Sequence, residues 1–200
     1  MKKEMVSVIG ITISFLLLLI AIFLPWYSSS LSVEGSQFTS DIYLDKSVMN
    51  SPITGEIVQE HSDGEGVDYI FNTMYIMILT LLIAIISCTI IFVYYFKHLD
   101  ISKLKVLIIV TGVGTLIFSI LTVYYFMAGV LDTIKTSKTA YIAISGQDLG
   151  DLDIGFWWST TINGAEISAG PGWAWYLVIF AGIIALVSSL LFVTNQKSKN

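Results

Sequence analysis

YIFNTMYIMILTLLIAIISCTIIFVYYF, Tyr69 to Phe96, runs for 28 residues without an Asp, Glu, Lys, Arg or His. As a helix rising about 1.5 Å per residue, it outreaches the ~30 Å hydrocarbon core of a bilayer and leaves length for a tilt. Only a helix or a closed barrel satisfies its backbone in lipid, and a single unbroken apolar run is a helix signature. Working outward, three more runs read as spans: Met5 to Trp26, Leu104 to Met127 with Lys105 at its margin, and Trp173 to Thr194. The expected fold is an all-α membrane protein: a four-helix transmembrane bundle with a small extracytoplasmic β-rich domain formed by the two long outer loops.

Composition points the same way. Hydrophobic types make up 55% of the 200 residues and charged types 12%, with a mean hydropathy of +0.80, whereas soluble domains carry about 25% charged residues. That balance excludes a cytoplasmic enzyme, a disordered tail and a nucleic-acid binder. The chain opens Met-Lys-Lys-Glu, but the apolar run that follows exceeds a signal-peptide core and no A-x-A-like site ends it, so a retained anchor is expected.

Lysines set the orientation, because cationic loops are held in the cytoplasm. Lys2, Lys3, Lys97, Lys103, Lys105, Lys197 and Lys199 fall on one side with only Glu4 and Asp100. Lys46, Lys135 and Lys138 fall on the other with the remaining thirteen acids. Both termini and the short loop 97–103 are therefore expected inside the cell membrane, and loops 27–68 and 128–172 outside. Trp26, Tyr27, Tyr69, Tyr124, Tyr125, Trp173, Trp175 and Tyr176 fall at the outer span ends, where amphipathic rings favour the headgroup level.

The outer loops are too long to lack structure. Tyr27 to Val33 and Gln37 to Leu44 alternate around Glu34-Gly35-Ser36, and Gly155 to Glu166 contains Asn163-Gly164, a turn pair suited to positive φ. Thr139 to Ser145 also reads as a strand, whereas residues 50–52 and 61–66 read as irregular connectors. Gly64-Glu65-Gly66 and Gly170-Pro171-Gly172, 106 positions apart, suggest a duplicated plan.

Within lipid, helices associate through small side chains that let backbones approach. Such residues recur at helical spacing as Gly10 and Ser14 in the first span and Thr80, Ala84 and Cys88 in the second. The third span has Thr111, Thr115 and Ser119, and the fourth Ala181, Ala185 and Ser189. These are the expected packing faces.

Candidate chemistry is sparse. Glu56, Glu60, His61, Asp63, Glu65 and Asp68, and separately Asp148, Asp151 and Asp153, offer carboxylates to a hard cation, but neither matches a calcium-loop spacing, and solvated acidic turns are the preferred reading. His98 reads as an interfacial polar residue. Phe156, Trp157 and Trp158 are consecutive aromatics on an expected strand, so one ring must face away from the strand's buried side. They are the candidate contact for a partner or a carbohydrate, with packing the plainer reading. No metal, cofactor or catalytic residue is expected.

Four spans, Leu24-Pro25-Trp26 after the first, and Gly155-Phe156-Trp157 resemble the claudin and peripheral myelin protein tetraspan superfamily. That family carries its Gly-Leu-Trp motif and paired cysteines in the first outer loop, whereas the motif here lies in the second and the sole cysteine, Cys88, lies in a span. The chain also resembles four-span prokaryotic membrane proteins with an LPW after the first helix and a Gly-Pro-Gly before the last. The resemblance implies an outer β-sheet on a left-handed bundle with lateral contacts through the outer loops.

The functional expectation is a multi-pass membrane protein of structural or accessory type whose outer β domain binds another membrane or surface protein. Its partners are the lipid bilayer and that protein, with homo-oligomerisation open. The alternative is a transporter or channel subunit with a hydroxyl-lined pore. An enzyme using Asp151 and Asp153 asks most of the sequence.

Overall fold

The computed structural model describes residues 3–61, 68–97, 104–145, 157–162 and 164–197. In chain order the elements are α1 (Lys3–Ala21), β1 (Tyr27–Val33), β2 (Ser36–Ile42), β3 (Lys46–Ser51), β4 (Gly55–Glu60), α2 (Asp68–Lys97), α3 (Lys105–Ser145), β5 (Trp158–Ile162), β6 (Ala165–Pro171) and α4 (Trp173–Lys197). They form two compact units. One comprises Met1–Ile22, Met74–Val123 and Tyr176–Asn200, and the other Phe23–Thr73 and Tyr124–Trp175.

The first unit is helical and, unlike a soluble bundle, is apolar on its outside. Large aliphatic and aromatic side chains such as Leu82, Ile86, Ile117, Ile120 and Phe180 are exposed, while Ser7, Ser14, Thr80, Ser87, Thr115, Ser119, Thr122 and Ser189 are buried. Water would penalise that arrangement; a hydrocarbon solvent removes the penalty and leaves close packing of small groups as the cohesive term. Three helices are long and apolar enough to cross a membrane: Asp68–Tyr94, Lys105–Lys135 and Trp173–Thr194. The apolar part of α1, Met5–Ala21, is shorter.

Small residues occupy the helix contacts. A Cβ on Gly10 would lie 3.2 Å from the Ser188 Cβ, and one on Gly112 would lie 2.7 Å from the Ser189 Cβ and 3.3 Å from the Ala185 carbonyl oxygen. Ser14 Oγ donates to the Ala181 carbonyl at 2.7 Å, and Cys88 Sγ approaches the Ile11 carbonyl at 3.7 Å. Thr111 Oγ1 donates to Ser87 Oγ at 3.1 Å. Ala84, Thr111, Thr115, Ser119, Ala181, Ala185 and Ser189 are buried and Cys88 is half-buried. Ile11, Ile91, Ile108, Phe192 and Val193 form an apolar cluster, with Tyr94 edge-on to Phe192 at 5.2 Å.

The second unit contains a six-stranded antiparallel sheet in the order β4-β3-β2-β1-β6-β5. Four strands come from the first long loop and two from the second, and β1 and β6 join them. Turn chemistry fixes the registers. Glu34 and Gly35 both have positive φ, 49° and 81°, and close β1 onto β2 with Val33 opposite Ser36, the geometry a two-residue primed turn requires. Gly164 has φ 82° where Ile162 pairs with Ala165. Beside the sheet, Phe126 is completely buried and contacts Trp26 at 5.3 Å, Tyr69 at 5.6 Å and Trp175 at 6.1 Å.

Several expectations are corrected. The first apolar run is helical only to Ala21. Pro25 disfavours a helical residue before it, and Trp26 N donates to the Ile42 carbonyl at 2.7 Å as the chain turns into the sheet. Trp26 and Trp175 are buried in the aromatic cluster rather than exposed as interfacial rings. Thr139 to Ser145 are the last turns of α3, because the sequence supplies no Pro or Gly between Val130 and Ser145 to stop the helix. Residues 50–52 are not an irregular connector: β3 and β4 form a hairpin through them, with Ser51 Oγ accepting from the backbone N–H groups of Ile53 and Thr54 at 3.1 and 3.3 Å. The plan is not duplicated either, since β1 at Tyr27–Val33 would map onto residues inside α3.

Candidate functional site

Side chains alternate across a strand, so antiparallel register decides which residues share a sheet face. Ser30 pairs with Thr39 on β2 and Ser168 on β6, and Ser168 pairs with Ser159 on β5. A row of four hydroxyls thus crosses four strands. Its centre is closed by a 2.8 Å hydrogen bond between Ser30 Oγ and Ser168 Oγ, and Asn50 Nδ2 donates to Thr39 Oγ1 at 3.5 Å. One step along, Asp41 pairs with Ser28, and Ser28 with Gly170.

The four hydroxyl residues, with Ser28, Asp41 and Gly170, line an open groove of about 670 Å³ that Trp157 also borders. The indole lies against Gly170: a Cβ there would meet Trp157 Cδ1 at 2.5 Å and Nε1 at 3.0 Å. Glycine therefore leaves room for the pyrrole edge of the indole, and Trp157 stays 63% exposed. Among the described lining residues Asp41 is the one charged side chain, so the site favours neutral or cationic ligands over anions.

Trp158, one residue on, makes a further contact. Its Nε1 donates to the Tyr27 hydroxyl at 3.2 Å. Tyr27 is buried, and that burial raises its phenol pKa, opposed by the hydrogen bond from Trp158. Trp157 and Trp158 both line the groove, Trp158 also bonds to Tyr27 of β1, and Phe156 lies outside the described residues.

The sheet also presents a free edge. Strand β4 pairs with β3 alone among the described residues and is exposed along its whole length. Ile57, Val58 and Met49 are exposed there, and Ile53 at the hairpin tip is 83% exposed.

Of the acidic candidates, three fall among the described residues. Glu56 and Glu60 lie along β4, Asp68 begins α2, and His61 instead binds the β2–β3 turn, its Nε2 3.1 Å from the Tyr43 carbonyl and its N–H on the Asp45 carbonyl at 3.2 Å. Asp63, Glu65, His98, Asp148, Asp151 and Asp153 lie outside the described residues. Among the described residues no three His, Cys, Asp or Glu side chains come together as metal ligands. Sequence reasoning missed Ser28, Ser30, Thr39, Asp41, Ser159 and Ser168, whose only signal was the density of hydroxyl residues in β1, β2 and β5. No protein-family model and no curated protein matches the chain.

Proposed function

We propose that this chain is a four-span membrane protein of accessory type, with both termini cytoplasmic and its sheet outside, where the β4 edge binds another protein. The apolar exterior of the helical unit and the lysine asymmetry support the membrane reading and its orientation. The observation that carries the binding reading is the edge itself. Natural edge strands are blunted by charged side chains, Pro or a covering element; β4 reads Gly-Glu-Ile-Val-Gln-Glu and, between its two glutamates, leaves Ile57 and Val58 exposed. An added strand from a partner would satisfy the outward backbone groups and cover those side chains.

Mild-detergent extraction followed by affinity purification tests this. A stoichiometric partner should stay with the wild-type chain and be lost from Ile57→Lys, which places a charge on the edge without touching the helices. A partner retained equally by both forms would refute the edge.

A channel subunit is the second reading, and it draws on Ser7, Ser119 and Ser189, whose buried hydroxyls have no hydrogen-bond partner among the described residues. Against it, most threonines in the helical unit turn back on their own helix: Thr80 donates to Ile76, Thr115 to Thr111 and Thr122 to Phe118, each at 2.7–2.8 Å. Reproducible selective current from purified protein in planar bilayers would promote it.

A further inference from the structure

We infer that the groove beside Trp157 binds a neutral saccharide, independently of the protein docked on β4. The groove's chemistry is that of a polyhydroxylated ligand. Ser30, Thr39, Ser159 and Ser168 each both donate and accept hydrogen bonds, as every hydroxyl of a sugar does. Strands about 4.8 Å apart space those hydroxyls regularly across the floor. Asp41 at one side of the floor accepts from ligand hydroxyls through charge-assisted hydrogen bonds, which are the stronger kind.

Trp157 supplies what hydroxyls cannot. A sugar ring has an apolar face of C–H bonds, and an indole packed against Gly170 and 63% exposed offers aromatic surface to it. The same lining argues against other occupants. Phosphorylated or carboxylated ligands would meet the Asp41 carboxylate with no described cation to offset it. An extended peptide gains affinity from main-chain pairing at an edge, but the groove lies over β2, β1, β6 and β5, of which β2, β1 and β6 are paired on both sides.

The experiment is titration of the full-length protein in lipid nanodiscs, free of glycosidic detergents, with cellotetraose, maltotetraose and chitotetraose, followed by Trp fluorescence and calorimetry. At least one should bind and shift the indole emission. Trp157→Ala should weaken that binding about tenfold, a value within the range of one aromatic contact, and Asp41→Asn should weaken it several-fold, while Trp157→Phe retains part of it. Ile57→Lys should leave it unchanged, which separates this site from the protein-docking edge. Absence of binding by all three oligosaccharides to folded protein would overturn the inference. So would binding indifferent to Trp157→Ala, or tighter binding of tetragalacturonate or a tetralysine peptide.

Discussion

Gly172 lies against Pro25 so closely that a Cβ on it would collide with the Pro25 carbonyl oxygen and stand 2.6 Å from the carbonyl carbon. Its N–H donates to the Trp26 carbonyl at 3.0 Å, and two residues later Ala174 N donates to Pro25 at 3.3 Å. Leu24-Pro25-Trp26 and Gly170-Pro171-Gly172 are therefore two sides of one junction, where the chain enters β1 and leaves β6. Backbone meets backbone there, so no side-chain rotation relieves an added methyl.

Gly172→Ala is accordingly expected to destabilise the sheet unit by about 3 kcal/mol, the upper range of overpacking costs, or to prevent folding. Thermal unfolding in nanodiscs, read by Trp emission, measures it; a midpoint equal to wild type would contradict the junction.

Helix packing gives a paired prediction. Ala185 is buried, and its carbonyl faces Gly112. Ala185→Leu should cost about 1–3 kcal/mol by overpacking and reduce the yield of detergent-resistant monomer. Leu186→Ala, at a half-buried position on the same helix, should cost less. Equal yields would refute the small-residue contact.

Glu34 holds φ 49°, a left-handed conformation that costs a non-glycine residue about 1–2 kcal/mol. Asn tolerates it best and forms the preferred Asn-Gly primed turn. Glu34→Asn should therefore raise sheet stability by about 0.5–1 kcal/mol, part of that strain, measured as a higher unfolding midpoint. A lower midpoint would mean that the Glu34 side chain serves some other contact.

Tyr27 predicts an alkaline limit. Burial raises its phenol above the ordinary value of 10.0, so the folded state holds the proton more tightly than the unfolded chain. The corresponding stability is fully present below pH 10 and is lost as pH rises through the folded value. Tyr27→Phe should remove this loss while costing about 0.5–1.5 kcal/mol at neutral pH for the hydrogen bond from Trp158. Unfolding midpoints from pH 8 to 11 for both forms test it, and parallel curves would refute the assignment.

The parts legible in the sequence were those with strong local physics. Hydropathy located the apolar runs, and the positive-φ demand located the turns at Gly35 and Gly164. Local pattern failed where tertiary context or a missing breaker decided: Thr139 to Ser145 alternate like a strand but continue α3, and the acids of β4 drew attention from Ile57 and Val58. Trp157 stood out from the sequence, but the groove did not. Its central hydrogen bond joins Ser30 to Ser168 across 138 positions, and serines carry no local mark of a shared face. Only register brings them together.

In the proposed orientation the sheet lies outside the cell membrane and the termini inside. Single cysteines in a Cys88→Ala background, one at Ile53 on the β3–β4 tip and one at Ser102 in the short loop between α2 and α3, test it with a membrane-impermeant maleimide on intact cells. Ile53→Cys should label in intact cells and Ser102→Cys only after lysis. The opposite pattern, or labelling of both positions in intact cells, would contradict the account.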